Sequence, residues 1–203
     1  MKFTLKVFSA AFLAMLLLVM PVLAGPPTDY VRGILDSVMA IQSNPAMTGP
    51  AHETARAKAI RAIIQRSFDF PLMAQNSLGA TYGKLSQGQR QEFISVFSAL
   101  FQDSYTRMVL NFLKKETINY GKEDASGGKA RVATTIARTN ETIPVEYLMH
   151  NQGGSWRLYD VIVDGVSILD NYKRQFGQVI DAKSFGFLMD KMKTQQKAIK
   201  LGD

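Results

Sequence analysis

The chain has 203 residues, no cysteine, and 24 basic against 17 acidic residues, which gives a formal net charge of +7 at pH 7. The lack of cysteine excludes disulfides and thiolate metal sites, so packing must stabilise the fold. The basic excess is modest and spread along the chain, without a block of Arg and Lys interleaved with aromatic residues, which argues against nucleic-acid binding. A weakly basic surface suits contact with anionic membranes or acidic proteins, or is simply a solvated surface.

The N-terminus has the pattern of a cleavable secretory signal peptide. Two lysines precede an uncharged apolar run over residues 7–20, and small or branched residues occupy the −3 and −1 positions of a cleavage site after Ala24. The run is short for a membrane span, and no cysteine follows it that could carry a lipid. We therefore predict a signal peptide over residues 1–24 and a single domain over residues 25–203, with a retained N-terminal anchor as the alternative.

The first part of the remaining chain is predicted to be helical. Apolar residues at helical spacing indicate a helix over residues 28–42 with Thr28 as its N-cap, and a second helix over residues 53–67. Asp69 is placed to cap a short helix that ends at Leu78, before a glycine.

A longer helix follows, and its start is marked by Ser86 with Gln89 three residues later, the pattern of a capping box. It extends to about Leu113, which corresponds to a length of roughly 40 Å. One face of this helix carries a stripe of large apolar residues, and a stripe of this kind is by itself more often part of the core than a ligand site. The stripe consists of Phe93, Val96, Phe97, Leu100, Phe101, Tyr105, Met108 and Phe112.

From Thr117 the apolar period changes to two, which indicates strands. Polar and glycine-containing turns separate four segments, so we expect a four-stranded antiparallel meander. The last segment is apolar on both faces, which predicts a central strand covered on each side. The segments are residues 117–120, 129–138, 143–149 and 155–163.

After Gly165 the helical period returns in two further amphipathic segments. The sequence thus predicts an α+β fold. Its four-stranded antiparallel twisted sheet is wrapped by N- and C-terminal helices and leaves an internal apolar pocket between the layers.

A search for catalytic groups gives few candidates. His52 and His150 have no neighbours at metal-ligand spacing, so we predict no metal site. Asp160 lies within an apolar strand, where a carboxylate can act as a general base with a raised pKa. The favoured reading is that Asp160 accepts hydrogen bonds from the backbone or a nearby Arg and fixes the end of the strand, because no partner acid is evident. We predict no catalytic residue.

Two motifs resemble the MlaC family, also called the toluene-tolerance auxiliary family. The first is F-P-L-M-A-Q-N-S-L over residues 70–78 followed by G-A-T-Y, with L-S-Q-G-Q-R-Q-E-F over residues 85–93. The second, more specific motif is W-R-L-Y-D-V-I-V-D-G-V-S over residues 156–167, followed by N-Y-K-R-Q-F over residues 171–176. Together with the order of predicted elements, the resemblance covers nearly all of the chain after the signal peptide.

The resemblance implies a periplasmic shuttle that carries phospholipids between the outer and inner membranes. Acyl chains would lie in an apolar pocket between sheet and helices, with the headgroup near solvent. The implied partners are an inner-membrane ABC transporter complex with its substrate-binding membrane protein, and an outer-membrane lipoprotein–porin complex. No cofactor is implied beyond the phospholipid cargo.

Periodicity selects the side chains that would line this pocket, and Met and aromatic groups among them adapt to ligands of variable shape. The pocket candidates are Phe97, Phe101, Met108, Val145, Tyr147, Met149, Tyr159 and Val161.

Three alternatives to the phospholipid shuttle remain open. The protein could carry another envelope lipid such as a hopanoid, or be an enzyme on a cone fold resembling ketosteroid isomerase with Asp160 as base and a Tyr as acid. The third alternative is an envelope interaction module without a ligand.

Overall fold

The computed structural model describes residues 26–202, so the predicted signal peptide lies outside the described residues. None of the helices within this range is both long and apolar enough to cross a bilayer. The helices are α1 (Pro27–Ser43), α2 (Glu53–Ser67), α3 (Phe70–Leu78), α4 (Ala80–Lys84), α5 (Gln87–Phe112), α6 (Ile168–Ala182) and α7 (Phe185–Gly202). The strands are β1 (Thr117–Ser126), β2 (Lys129–Ala137), β3 (Thr142–Gln152), β4 (Ser155–Val163) and β5 (Val166–Ser167).

Two of the predicted helix starts are confirmed by their hydrogen bonds. Asp69 Oδ1 accepts from the backbone N–H of Leu72 at 2.9 Å and caps α3. At the start of α5, Ser86 Oγ accepts from the Gln89 N–H at 3.2 Å while Gln89 Oε1 accepts from the Ser86 N–H at 2.9 Å. This reciprocal pair satisfies two backbone donors that the helix itself leaves unpaired.

The predicted N-cap role of Thr28 is wrong. Helix α1 begins at Pro27, and Pro26 in the capping position supplies no side-chain hydrogen bond. Thr28 is instead a donor: its N–H and its hydroxyl both bind Glu123 Oε2, at 2.8 and 2.6 Å. A carboxylate from β1 thus meets the positive end of the α1 dipole, a contact that forms only when the sheet packs on the helix.

The four predicted strands are present and form an antiparallel meander in the order β1-β2-β3-β4-β5. The fifth strand is a two-residue addition, joined to β4 by Asp164 and Gly165, with φ of +49° and +76°. Two left-handed residues in succession form the tight hairpin turn that suits the twist of paired strands, and Asp-Gly is a favoured pair for it.

The prediction that β4 lies at the centre of the sheet is wrong, because β4 is the fourth of five strands and its outer neighbour is the short β5. Helices α3 and α6 contact this strand, and Phe68 forms an isolated parallel bridge with the edge of β4 at Leu158. Contacts from helices and a neighbouring segment can thus give a strand near the sheet edge the apolar composition of a central one.

The core lies between one face of the sheet and the helices. Buried residues of α1, α2 and α5 meet Val132, Val145 and Met149 of the sheet in one continuous cluster. Helix α7 runs alongside α5 in the same direction, since Phe185 lies 6.0 Å from Phe93 near the start of both helices and Ile199 borders the same cavity as Leu110 near their ends. Helix α6 crosses α5 in the opposite sense and packs on α3, α7 and β4.

Candidate functional site

One face of α5 borders two cavities that together extend along more than half of the helix. The first, which we call the helix compartment, has a volume of about 390 Å³ and lies between α5, α6 and α7. The second, the sheet compartment, has a volume of about 80 Å³ and lies between α5 and strands β2 to β4. Both are bordered by Tyr105 and Met108, which we call the neck. The two cavities therefore adjoin along α5, and together we call them the path.

Helix α5 supplies one wall of this path because its large apolar residues recur at spacings of three and four. Phe97, Phe101, Tyr105, Met108 and Phe112 consequently lie on one face. From the first to the last of them the helix rises by about 22 Å. That exceeds the roughly 15 Å hydrocarbon thickness of one leaflet of a bilayer, half of a core about 30 Å thick. The path is long enough for an extended acyl chain.

The opposite wall of the helix compartment comes from the second motif of the sequence. Asn171, Tyr172, Gln175 and Phe176 all line the cavity, whereas the intervening Lys173 points elsewhere. Positions i, i+1, i+4 and i+5 share one face of a helix, which explains the spacing of the motif. Aromatic contacts join the two walls.

These ring contacts are close. The Tyr172 ring lies 5.5 Å from Phe97 in an edge-to-face arrangement, and Phe176 lies 5.8 Å from Phe93 in the same geometry. Edge-to-face pairs at this distance stabilise by about 0.5–1.5 kcal/mol beyond the area they bury. The floor of the compartment is thus a packed aromatic surface.

The sheet compartment is almost entirely apolar. Its wall on the sheet side consists of Ile136, Ile143, Val145, Tyr147, Val161 and Val163. Antiparallel register places Val145 opposite Val163 and Tyr147 opposite Val161, so these four side chains form one patch. The mouth of this compartment is formed by Phe112 and Arg138.

The tyrosines along the path are uncharged near neutral pH. Burial raises the pKa of Tyr105 well above its usual value, and the neighbouring Tyr147 phenol and Asp160 carboxylate raise it further. Burial also raises the pKa of Tyr147 and that of Tyr172, although hydrogen bonds from Thr134 and Ser104 respectively oppose the change. Among the described residues that line the two compartments, Lys191 and Arg138 alone carry a charge.

The structure places six of the eight predicted pocket residues on this path. Phe97 and Phe101 line the helix compartment, and Met108 forms part of the neck. The remaining three, Val145, Tyr147 and Val161, line the sheet compartment.

The other two predicted residues lie elsewhere. Met149 is completely buried in the core and borders neither compartment. Tyr159 is the extra residue of a β-bulge, because Leu148 pairs with Asp160 while the next residue, Met149, pairs with Leu158. The bulge interrupts the alternation of faces, and Tyr159 lines a depression on the opposite side of the sheet beside Asp160.

Several lining residues were not among the predicted set. Tyr105 belongs to the apolar stripe of α5, so a stricter use of that stripe would have included it. Tyr172 and Phe176 belong to the second motif, whose spacing indicates one helical face. The contribution of α7, through Leu188 and Met192, has no local signal, because the sequence does not show which face of α5 this helix covers.

Asp160 lies within β4 and holds the start of α6. Its Oδ1 accepts from the N–H groups of Val161 at 2.8 Å and Leu169 at 3.0 Å, and its Oδ2 accepts from the Ser167 hydroxyl at 2.6 Å. Ser167 Oγ in turn caps α6 by accepting from the Asp170 N–H at 2.9 Å. Burial raises the pKa of Asp160 in spite of these three hydrogen bonds. The carboxylate is occupied in joining the strand to the helix.

Metal binding has no candidate group among the described residues 26–202. No group of three His, Asp or Glu side chains in that range is close enough to hold a metal ion. His150 Nε2 lies 2.8 Å from Asp69 Oδ2, so it connects β3 to the N-terminus of α3, away from both compartments.

Comparison with known proteins gives consistent matches. The family model described as MlaC protein matches residues 32–194. The intermembrane phospholipid transport system binding protein MlaC of Haemophilus influenzae is 26% identical over 126 residues, which span 60% of this chain and 58% of that protein. The toluene tolerance protein ttg2D of Pseudomonas putida is 25% identical over 162 residues, 78% of this chain and 75% of that protein.

A solved structure has the same fold. The phospholipid-binding protein from Ralstonia solanacearum, determined in complex with a phospholipid, superposes with a TM-score of 0.74. The superposition covers 87% of this chain and 99% of that one, at 20% sequence identity.

Proposed function

This chain belongs to the MlaC family, and on that basis we propose that it is a periplasmic phospholipid-binding protein that carries lipids between the outer and inner membranes. The observation that carries the proposal is the face of aromatic and aliphatic side chains on α5 that borders two adjoining cavities. An acyl chain moved from water into such a path gains about 0.8 kcal/mol for each buried CH₂. A carrier needs this gain and needs no bond-making groups.

The dimensions of the compartments suggest how cargo is taken up. A helix compartment of about 390 Å³ is near the lower end of ligand pockets, and a sheet compartment of about 80 Å³ lies below it. Lipid tails therefore enter by widening the path at the neck. Met108 suits this role because its unbranched thioether side chain changes shape readily, and it is only half-buried.

The partners follow from the same family. We infer that the protein docks on an inner-membrane ABC transporter complex with its substrate-binding membrane protein, and on an outer-membrane lipoprotein–porin complex. Support comes from the Haemophilus relative, which is named as a component of an intermembrane phospholipid transport system. The N-terminal sequence pattern supports export to the periplasm.

The proposal assigns no catalytic role to the protein. Asp160, the strongest candidate base, already accepts three hydrogen bonds and borders neither compartment. Each relative described above is named for lipid binding, lipid transport or solvent tolerance. The bound phospholipid would be cargo rather than a cofactor.

The test is to purify the full-length gene product from a bacterial envelope fraction under conditions that retain ligands, and to analyse its organic extract by mass spectrometry. We expect about one phospholipid per protein. A stoichiometric hopanoid or other neutral lipid would instead identify a different cargo. Recovery of no lipid would contradict the carrier function.

A further inference from the structure

The mouth of the helix compartment carries four exposed polar side chains that no other described residue engages. Asn171 and Gln175 lie one turn apart on α6, and Lys191 and Gln195 lie one turn apart on α7. None of the four makes a side-chain hydrogen bond or ion pair to another residue that the structure describes. Three amides and one ammonium group thus present free N–H donors above an aromatic floor.

Among the described residues, the lining of this compartment carries a positive charge and no negative charge. Lys191 is the one charged side chain among the described residues that line the helix compartment, and no carboxylate lines it. The acidic neighbours Asp170 and Asp190 lie on the same helices but do not border the cavity. A negatively charged group at the mouth would therefore meet donors and a positive charge without opposition from an acid in the lining.

The mouth of the sheet compartment differs, because its cation is already occupied. Arg138 donates to the Phe112 carbonyl at 2.7 Å, and its Nε lies 3.5 Å from Glu116 Oε1. The same guanidinium lies 3.8 Å from Glu141 Oε2 and covers the Phe112 ring at 4.9 Å from the ring centroid. Two carboxylates neutralise it, so an anionic group gains little there.

From this contrast we propose that Asn171, Gln175, Lys191 and Gln195 form a donor collar that binds the phosphate of the lipid headgroup. The inference rests on the proposed carrier function. It fixes the orientation of the cargo: the phosphodiester lies at the α6–α7 rim, and the acyl chains pass the neck toward the sheet compartment. Phosphate oxygens accept hydrogen bonds from amide and ammonium groups, and charge-assisted bonds of this kind are stronger than neutral ones.

The test compares two double variants that differ in position and not in composition. Gln175→Ala with Lys191→Ala removes one amide from α6 and one ammonium from α7 at the collar. Gln178→Ala with Lys197→Ala removes the same groups from the same helices at exposed positions outside the compartment. All four positions are exposed, so both variants should melt within a few degrees of the unaltered protein.

Each protein, stripped of lipid, is incubated with vesicles containing either dioleoyl phosphatidylglycerol or dioleoylglycerol, which has the same tails and no phosphate. Lipid that remains with the protein after gel filtration is then quantified by mass spectrometry. We expect the collar variant to retain phosphatidylglycerol about tenfold less well, a loss close to that of one hydrogen bond to a charged group. Its retention of dioleoylglycerol should be unchanged, and the control variant should match the unaltered protein.

Other outcomes would contradict the proposal that the donor collar binds the headgroup phosphate. Equal loss of both lipids would assign the four residues to general packing, and full retention of phosphatidylglycerol would remove them from the binding site. Displacement of phosphatidylglycerol by excess free glycerol 3-phosphate would indicate a site for soluble phosphate esters rather than for a headgroup. If the unaltered protein retains neither lipid, the carrier function itself fails, which is a separate result from failure of the collar.

Discussion

The helix compartment and the sheet compartment share the neck residues Tyr105 and Met108. They differ in whether the polar side chains at their mouths are already paired with other residues. At the helix compartment, Lys191 and three amides are exposed and unpaired by other described residues. At the sheet compartment, Arg138 is held by Glu116, Glu141 and a backbone carbonyl. Two mouths that each carry a cation therefore differ in their capacity for an anion, because a cation already paired with carboxylates gains less from an anionic ligand.

The same difference gives the path a direction. One end is amphipathic, with free amides and an ammonium group, and the other is apolar, with its lining cation Arg138 paired to two carboxylates. A phospholipid has the matching asymmetry, with a charged headgroup and hydrocarbon tails. The experiments below test whether each compartment has the role that this match assigns to it.

The largest effect is expected from a charge in the sheet compartment. Val145→Asp places a carboxylate at a side chain that is 3% exposed, and a buried charge without a partner destabilises the fold by roughly 2–4 kcal/mol and repels acyl chains. Lipid retention should be lost, as measured by mass spectrometry of the purified variant. The control is Val166→Asp, the same substitution at a residue that is 56% exposed on β5.

If Val145→Asp fails to fold, Val163→Asp tests the same wall at a half-buried position. Full lipid loading in a folded variant of either kind would remove the sheet compartment from the cargo path.

An intermediate effect is expected from a block at the neck. Met108→Trp replaces a flexible side chain with a rigid, larger one where the compartments adjoin, so tails can no longer pass. Retention of dioleoyl phospholipid should fall about tenfold, which corresponds to the loss of only two or so buried CH₂ groups. Short-chain phospholipids should be affected less, because they fit within the helix compartment.

The matched control for the neck is Met39→Trp, the same change at another half-buried methionine, on α1 and outside both compartments. Equal losses for long and short chains in Met108→Trp would show that the two compartments do not act in series.

The smallest effect concerns two carboxylates, Glu116 and Asp160, whose contributions to stability should respond to pH with opposite sign. Burial by itself would raise the pKa of Glu116, but backbone N–H groups of Lys114 and Lys115 and the charge of Arg138 outweigh it and lower that pKa. Glu116 therefore stabilises the fold above its unfolded pKa, and this contribution is lost as pH falls through the folded value. Burial raises the pKa of Asp160, so its contribution is full below the unfolded pKa and is lost as pH rises through the folded value.

Urea denaturation at about pH 4 and about pH 7 separates these contributions. Glu116→Gln should lower the free energy of unfolding by about 1 kcal/mol or less near neutrality, and by less in acid. Asp160→Asn should be more destabilising in acid than near neutrality, relative to the unaltered protein. Parallel pH profiles for both variants would contradict the assigned signs.

Much of the fold could be predicted because its signals are local. The capping groups Asp69 and Ser86 confirm their helices, and the period-two segments confirm four strands. The fifth strand had a local signal in Asp164-Gly165, a favoured hairpin pair that the strand prediction did not use. The placement of Tyr159 had none, because a bulge shifts the faces of a strand without changing its composition.

Local sequence patterns predicted the long helices, four of the five strands, the apolar side of α5 and the family that the chain resembles. These depend on spacing within a few residues, and the hydrophobic period and capping groups encode it directly. The tertiary structure alone decided that Glu123 meets the start of α1, that α7 closes the helix compartment, and that Arg138 is paired while Lys191 is free of described partners. Each of these joins residues distant in the chain, and only the packing of helices on the sheet brings them together.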